Sequence, residues 1–285
     1  TAPNSYLPAL CRTLALAVAG LLVAASSAAA SVVTLSDNGS LATVNLDSSA
    51  GMSAWTVTGL PGAQANQLNQ QWFWYAIDGV NGGLDQPINT ISAASFDPNH
   101  PANSVSATYA NSDISVTISY TLTGGGIGQA DIQEGLTLPH LQPANSINFH
   151  FYQYSDFNLL SEPSGDSVSM DNGTVVQWKN ETQIQESIVA PDANRFEANY
   201  TGLPDSTLAK LGSTPQNGAP VQLDDNPSAG PGDVTWAYEW DFMSLTTQEI
   251  QKDKLLSVTL VPEPSALAQM GFGLAGLGWR RRNRA

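Results

Sequence analysis

Between Asp113 and Thr123 the apolar residues Ile114, Val116, Ile118, Tyr120 and Leu122 take every second position, and Ser115, Thr117, Ser119 and Thr121 fill the gaps. A period of two is that of a strand with one face buried. The same period returns at Ala42/Val44/Leu46, at Ile147/Phe149/Phe151 and at Leu256/Val258/Leu260. Val234, Trp236, Tyr238, Trp240 and Phe242 form an aromatic row, with Thr235, Ala237, Glu239 and Asp241 pointing the other way. Trp72, Phe73, Trp74 and Tyr75 put large groups on both faces, which predicts a central strand. Clusters of Gly, Pro, Asn and Asp separate these runs at Asp78 to Gln86, Asp97 to Asn103, Gly124 to Gly128, Ser161 to Asp166 and Asp171 to Gly173. The longest lies at Gly212 to Gly232. Short helices are predicted at Ser206 to Leu211 and Leu245 to Lys254, and no fixed-period repeat suggests a solenoid or propeller. The expectation is an all-β chain: one large antiparallel β-sandwich over residues 31–260, with a two-domain split at Gly212 to Gly232 as the alternative.

The amino-terminal 30 residues read differently. Arg12 precedes a ten-residue apolar run, Leu14 to Val23, and Ala24-Ala25-Ser26-Ser27-Ala28-Ala29-Ala30 follows. A basic flank, a run too short to span a bilayer and small residues make a signal-peptide pattern. Ala28 and Ala30 frame the expected cut, so the mature chain is expected to start at Ser31. Cys11 would leave with that peptide, and residues 31–285 hold no other cysteine. Stability must then come from a packed core rather than disulfides.

Charge narrows the partners. Five of the ten basic residues (Lys179, Arg195, Lys210, Lys252 and Lys254) and 24 of the 25 acids lie in residues 31–261, a formal charge near −19. Such a surface repels nucleic acid and anionic lipid, so no nucleic-acid partner is expected. Ser, Thr, Asn, Gln and Gly replace charge, as on an exported β-rich domain.

The carboxy terminus has three parts in order: Pro262-Glu263-Pro264, an apolar run of 15 residues from Ser265 to Trp279, and the cluster Arg280, Arg281, Arg282 and Arg284. A helix rises ~1.5 Å per residue, so a span of ~30 Å needs ~20 residues and this run is short. The arginines would stay on the cytoplasmic side, leaving the preceding domain outside. The two prolines hold the chain extended around Glu263. These residues resemble the PEP-CTERM sorting signal; the resemblance covers residues 261–285 only. It implies an exosortase-type processing enzyme as partner, a transient membrane anchor through a short hydrophobic helix, and export to the outer surface or matrix of a Gram-negative bacterium that makes exopolysaccharide. An uncut membrane anchor is the alternative.

No local motif assigns the domain a chemistry. Gly124-Gly125-Gly126-Ile127-Gly128-Gln129-Ala130-Asp131 approaches the calcium nonapeptide, but the aspartate comes one residue late and the motif occurs once, so a hairpin loop is expected. Asp78 and Asp85 bracket a Gly/Asn loop with the oxygen ligands calcium prefers, a weak calcium site weighed against a solvated turn; Asp224-Asp225-Asn226 is read the same way. Glu239 and Asp241, two apart on one strand face, would lie roughly 6 to 7 Å apart, a range glycosidase pairs use. They are expected to be simply the polar side of the aromatic row. His100, His140 and His150 are scattered and form no expected ligand set. The domain carries no G-x-S-x-G, P-loop or dinucleotide fingerprint. Trp55, Trp72, Trp74, Trp178, Trp236 and Trp240 all sit in strand-like runs, where core packing is expected. The functional expectation is a structural or glycan-binding surface protein linked to exopolysaccharide, more a binder than an enzyme. A carbohydrate-active enzyme and an ice-binding protein are the alternatives, the first favoured if Glu239 and Asp241 face a cleft.

Overall fold

A computed structural model of the chain describes residues 31–58, 66–80, 83–138, 148–213, 219–243 and 247–258. The signal-peptide segment with Ala28 and Ala30, the sorting tail with its motif and arginines, and His140 lie outside these residues. In chain order the strands are β1 (Val32–Asp37), β2 (Ser40–Asn45), β3 (Gly51–Thr56), β4 (Leu68–Ile77), β5 (Gln86–Pro87) and β6 (Ser95–Phe96). Next come β7 (Ser104–Ala110), β8 (Ser115–Gly124), β9 (Gln129–Leu138), β10 (Phe149–Phe157), β11 (Asp166–Met170) and β12 (Thr174–Lys179). The last five are β13 (Thr182–Ala190), β14 (Arg195–Tyr200), β15 (Ser228–Gly232), β16 (Val234–Phe242) and β17 (Gln248–Val258), with helix α1 (Thr207–Leu211) after β14.

Two sheets pack face to face. One runs β1-β2-β3-β4-β10-β16-β14, with β5 beside β4; the nine-stranded other runs β15-β11-β12-β13-β17-β9-β8-β7-β6. Strand pairings are antiparallel except the short β3–β4 contact. The all-β antiparallel sandwich expected from sequence is therefore the observed fold. Because β16 inserts between β10 and β14, the chain beyond Gly212 belongs to the same sheet as the chain before it, and no domain split occurs there. Among the described residues no helix is long and apolar enough to cross a membrane.

Alternation explains the core. Ile114, Val116, Ile118, Tyr120 and Leu122 are all buried, as are Ala42, Val44, Leu46, Phe149 and Phe151. Phe157 stacks on Trp236 at 6.0 Å, and Trp236 Nε1 donates across to Gln177 Oε1 of the other sheet at 3.1 Å. The glycine-rich segment is the β8–β9 hairpin, where Gly126 and Gly128 have φ of +94° and +74°, values that favour glycine. Ser206 caps α1 by accepting from the Ala209 N–H, as the predicted helix requires.

Two expectations fail. A helix is expected over Leu245 to Lys254, but its described part from Gln248 on is strand: residues 248–258 are β17, whose Ile250, Lys252, Lys254 and Leu256 all point inward. The two lysines read as surface residues and so hid the alternation. They are buried between the sheets in a balanced cluster, Lys252 at 2.7 Å from Glu134 and Lys254 at 2.8 Å from Glu186. Gln153 donates to Glu186, and the Lys252 ammonium lies 4.8 Å from the Phe73 ring centre. Trp178 is the second failure. It is 41% exposed, because Val175, Gln177 and Lys179 take the inward positions of β12.

Candidate functional site

The outward face of the eight-stranded sheet is sealed over β10, β16 and β14. Register places Tyr152 beside Trp74 on one side and Glu239 on the other, with Arg195 beyond Glu239. The segment from Val221 to Asp225 crosses this row as a strap. Tyr152 Oη donates to the Val221 carbonyl at 2.7 Å, the Leu223 N–H donates to Glu239 Oε2 at 2.8 Å, and Arg195 donates to the Leu223 carbonyl at 3.2 Å. Leu223 is buried by this crossing, and α1 covers the neighbouring Glu197 through Thr207 and Lys210. Glu239 faces away from the aromatic row, as its position in the sequence requires, but that face is not open to water: the residue has no exposed surface.

At the end of this row His150 sits opposite Asp241. Its Nδ1 lies 2.6 Å from Asp241 Oδ1, and its Nε2 lies 3.2 Å from Asp78 Oδ1. Asn148 holds the second oxygen of Asp78. His150, Glu239 and Asp241 bring ligand atoms within 4.8 Å of one another. Burial, with Asp241 nearby, pushes the Glu239 carboxyl up to about 8 despite the Leu223 N–H. The hydrogen bond from His150 holds Asp241 below the usual carboxylate range. Burial alone would lower His150, but its two carboxylate partners outweigh burial and raise it.

The residues singled out in the sequence divide here. Asp78 is exposed and engaged with His150, whereas Asp85 is buried, accepts from the Val221 N–H, and is raised by burial to about 6. Both interact with His150, Asp78 by direct contact and Asp85 by its charge. Asp224 pairs with Lys210, Asp225 with Arg195, and Asn226 donates to the Ala198 carbonyl. His150 is the residue sequence reasoning missed. Its place between Phe149 and Phe151 put it on the face opposite those rings, but its partner is 91 positions away and only strand pairing reveals it.

The outward face of the nine-stranded sheet is different. Register aligns Ser104, Thr121, Gln133, Asp253, Ser187 and Thr174 in one cross-strand row. The next row is Ser106, Ser119, Gly135 and Gln251, and the next Thr108, Thr117, Thr137 and Glu249. A recess of about 370 Å³ lies over Gly135, bordered by Ser119, Thr121, Gln133, Gln251 and Asp253 together with Val189 and the Glu134–Lys252 pair. A second recess of about 340 Å³ adjoins it across Ser119 and Thr121. A Cβ on Gly135 would meet nothing closer than Ser119 Cβ at 3.9 Å, so space and not strain is what this glycine provides. Beside the recess Asp131 lies against Asp253, and burial together with that neighbour raises the Asp131 carboxyl to about 7.

Each of the five lysines and arginines in the described residues is already paired with an acid: Lys179 with Glu162 and Asp166, Arg195 with Asp225, Lys210 with Glu197 and Asp224, and the two buried lysines with Glu134 and Glu186. The negative charge expected from composition is thus not relieved by any unpaired cation there.

Known proteins share parts of this chain. No curated protein matches it. Among solved structures, the fold is similar to that of a bacterial glucoamylase complexed with acarbose, at TM-score 0.57 and 12% identity over 86% of this chain and 34% of the glucoamylase. A protein assigned as a kojibiose phosphorylase from the human microbiome aligns at TM-score 0.38 and 8% identity, over 87% of this chain and 33% of that one. The chain thus spans about a third of the length of either structure. A family profile for the PEP-CTERM protein-sorting motif matches residues 260–282, and the rest of the chain matches no family. The carboxy terminus therefore carries the PEP-CTERM signal of an exported, envelope-associated protein sorted by an exosortase-type enzyme.

Proposed function

We propose that the sandwich is a non-catalytic module that binds a neutral polysaccharide at the cell surface or in the extracellular matrix. The observation that carries this reading is the open face of the nine-stranded sheet, where hydroxyls, amides and carboxylates line two adjoining recesses beside Pro101, Val105 and Val189. Sugar hydroxyls are donors and acceptors at once, and such a lawn of Ser, Thr, Gln and Asp can match them. The sugar is neutral because an acidic polymer would meet carboxylates that no unpaired lysine or arginine of the described residues offsets. The fold shared with a third of a bacterial glucoamylase complexed with acarbose is compatible with this reading, and the sorting signal supplies the address. Glu239 and Asp241 do not favour the enzymatic alternative, since Glu239 is closed beneath Leu223.

Processing belongs to the same proposal. The chain loses residues 1–30 by cleavage after Ala30 and is cut near Pro262-Glu263-Pro264, which intact mass of the surface form tests. A surface form that keeps Arg280 to Arg284 in an exosortase-positive host contradicts it. For binding, a glycan array with the mature domain and the variant Gly135→Tyr is decisive. Retention of neutral glycans over uronic-acid polymers, weakened at least about tenfold by the tyrosine that fills the recess, is the expected result. No retention, or retention indifferent to Gly135→Tyr, contradicts the reading.

A further inference from the structure

The cluster at the sealed end of the eight-stranded sheet has an unbalanced charge that the glycan reading does not use. Asp78, Asp85, Glu239 and Asp241 surround His150, and Arg195 already serves Asp225. Glu239 is fully buried; its Oε2 accepts from the Leu223 N–H, while its Oε1 meets no N–H or O–H donor and its carboxyl faces that of Asp241. A buried carboxylate oxygen left without a donor costs free energy unless something arrives to meet it.

We propose that His150 Nδ1, Asp241 and Glu239 form a binding site for one divalent transition-metal ion of the zinc type, closed by the 221–225 strap. Three observations fit that class of ion. The three ligand atoms converge within 4.8 Å, close enough for a small movement to bring them around one ion. The set mixes one imidazole with two carboxylates, a combination that suits zinc better than calcium, whose sites are built from oxygen. The surroundings have the arrangement that metal-bound histidines and carboxylates use: the far ring nitrogen, Nε2, is placed to donate to Asp78, which is itself held by Asn148, and the Leu223 N–H fixes Glu239. The ion takes the place of the proton between Nδ1 and Asp241 and of the proton that burial holds on the Glu239 carboxyl, and both leave to solvent. Asp78 acts as the positioning residue and not as a ligand.

Isothermal titration of the metal-stripped mature domain with zinc chloride tests this, with calcium and magnesium chloride as comparisons. The expected result is one saturable zinc per chain, bound at least tenfold tighter than either comparison ion, with protons released on binding. His150→Ala and Asp241→Asn each weaken zinc at least tenfold while the far-ultraviolet dichroism shows both variants folded at the temperature of the titration. Glu239→Gln tests the buried ligand, and if it fails to fold, the two other variants decide. Absence of saturable zinc binding, zinc binding unchanged by both His150→Ala and Asp241→Asn, or calcium binding as tight as zinc, each overturns the proposal.

Discussion

The two sheets are sealed to different degrees. At its centre the eight-stranded sheet is buried on both faces: Trp236, Tyr238 and Trp240 point into the sandwich, while Ala237 and Glu239 are covered by the strap and α1. The nine-stranded sheet is sealed on its inner face only, and its outer face keeps Ser, Thr, Gln and a glycine recess against solvent. A sheet closed on both sides has no surface left for a partner, and its outer polar groups must find partners within the chain. An open polar sheet costs nothing to leave hydrated and is free to exchange water for a ligand's hydroxyls. The first is where stability and any bound ion belong, the second where recognition belongs.

Tryptophan replacement gives the largest contrast between the sheets. Trp236→Ala is expected to cost about 3 to 5 kcal/mol, since the ring is fully buried and stacked on Phe157. Trp178→Ala on the open sheet should stay within about 0.5 kcal/mol. Urea unfolding of both variants measures this, and equal losses would erase the distinction.

The strap sharpens the comparison at the next level. Leu223→Ala should cost about 2 to 4 kcal/mol although it lies outside every strand, because it is the apolar cover over Glu239. Amide exchange should then quicken along β16 and β14 and stay unchanged in β8 and β9. Uniform quickening would mean that the strap is no separate cover.

A smaller effect comes from pH. Asp156 and Asp166 are raised to about 6 by burial, and Asp166 stays there despite Leu159 and Lys179. A carboxyl whose folded pKa exceeds its unfolded value holds its proton more tightly when folded. Its stabilising contribution is full below the unfolded value and is lost as pH rises through the folded one. Going from about pH 8 to about pH 5 should therefore stabilise the domain by at least about 1 kcal/mol. Further acid reverses the gain as Glu134, held low by Lys252 and Lys254 against the effect of burial, takes up a proton. Thermal melts across that range check it; a maximum at alkaline pH contradicts it.

What could be read in the sequence was local. Alternation placed the core positions of β2, β8 and β16, and the glycines of residues 124–128 placed a turn, because each depends on neighbours a few positions away. Two kinds of information were not local. Lys252 and Lys254 broke the apolar pattern of β17, since their partners Glu134 and Glu186 lie on other strands. Glu239 reads in the sequence as the polar side of the aromatic row, and nothing in β16 announces that residues 221–225 will cross above it. His150 joined the cluster only through the pairing of β10 with β16. Strand order and loop cover are set by the whole chain, and the candidate metal cluster is made entirely from them.

The most direct test of the central claim is to map a bound neutral oligosaccharide on the mature domain by amide chemical shifts. The account predicts shifts concentrated at Ser119, Thr121, Gln133, Gly135 and Gln251 around the recess, with Gly135→Tyr placing within about 0.5 kcal/mol of the parent in stability yet abolishing them. Shifts centred on Glu239 and the 221–225 strap, or none on either sheet, would contradict it.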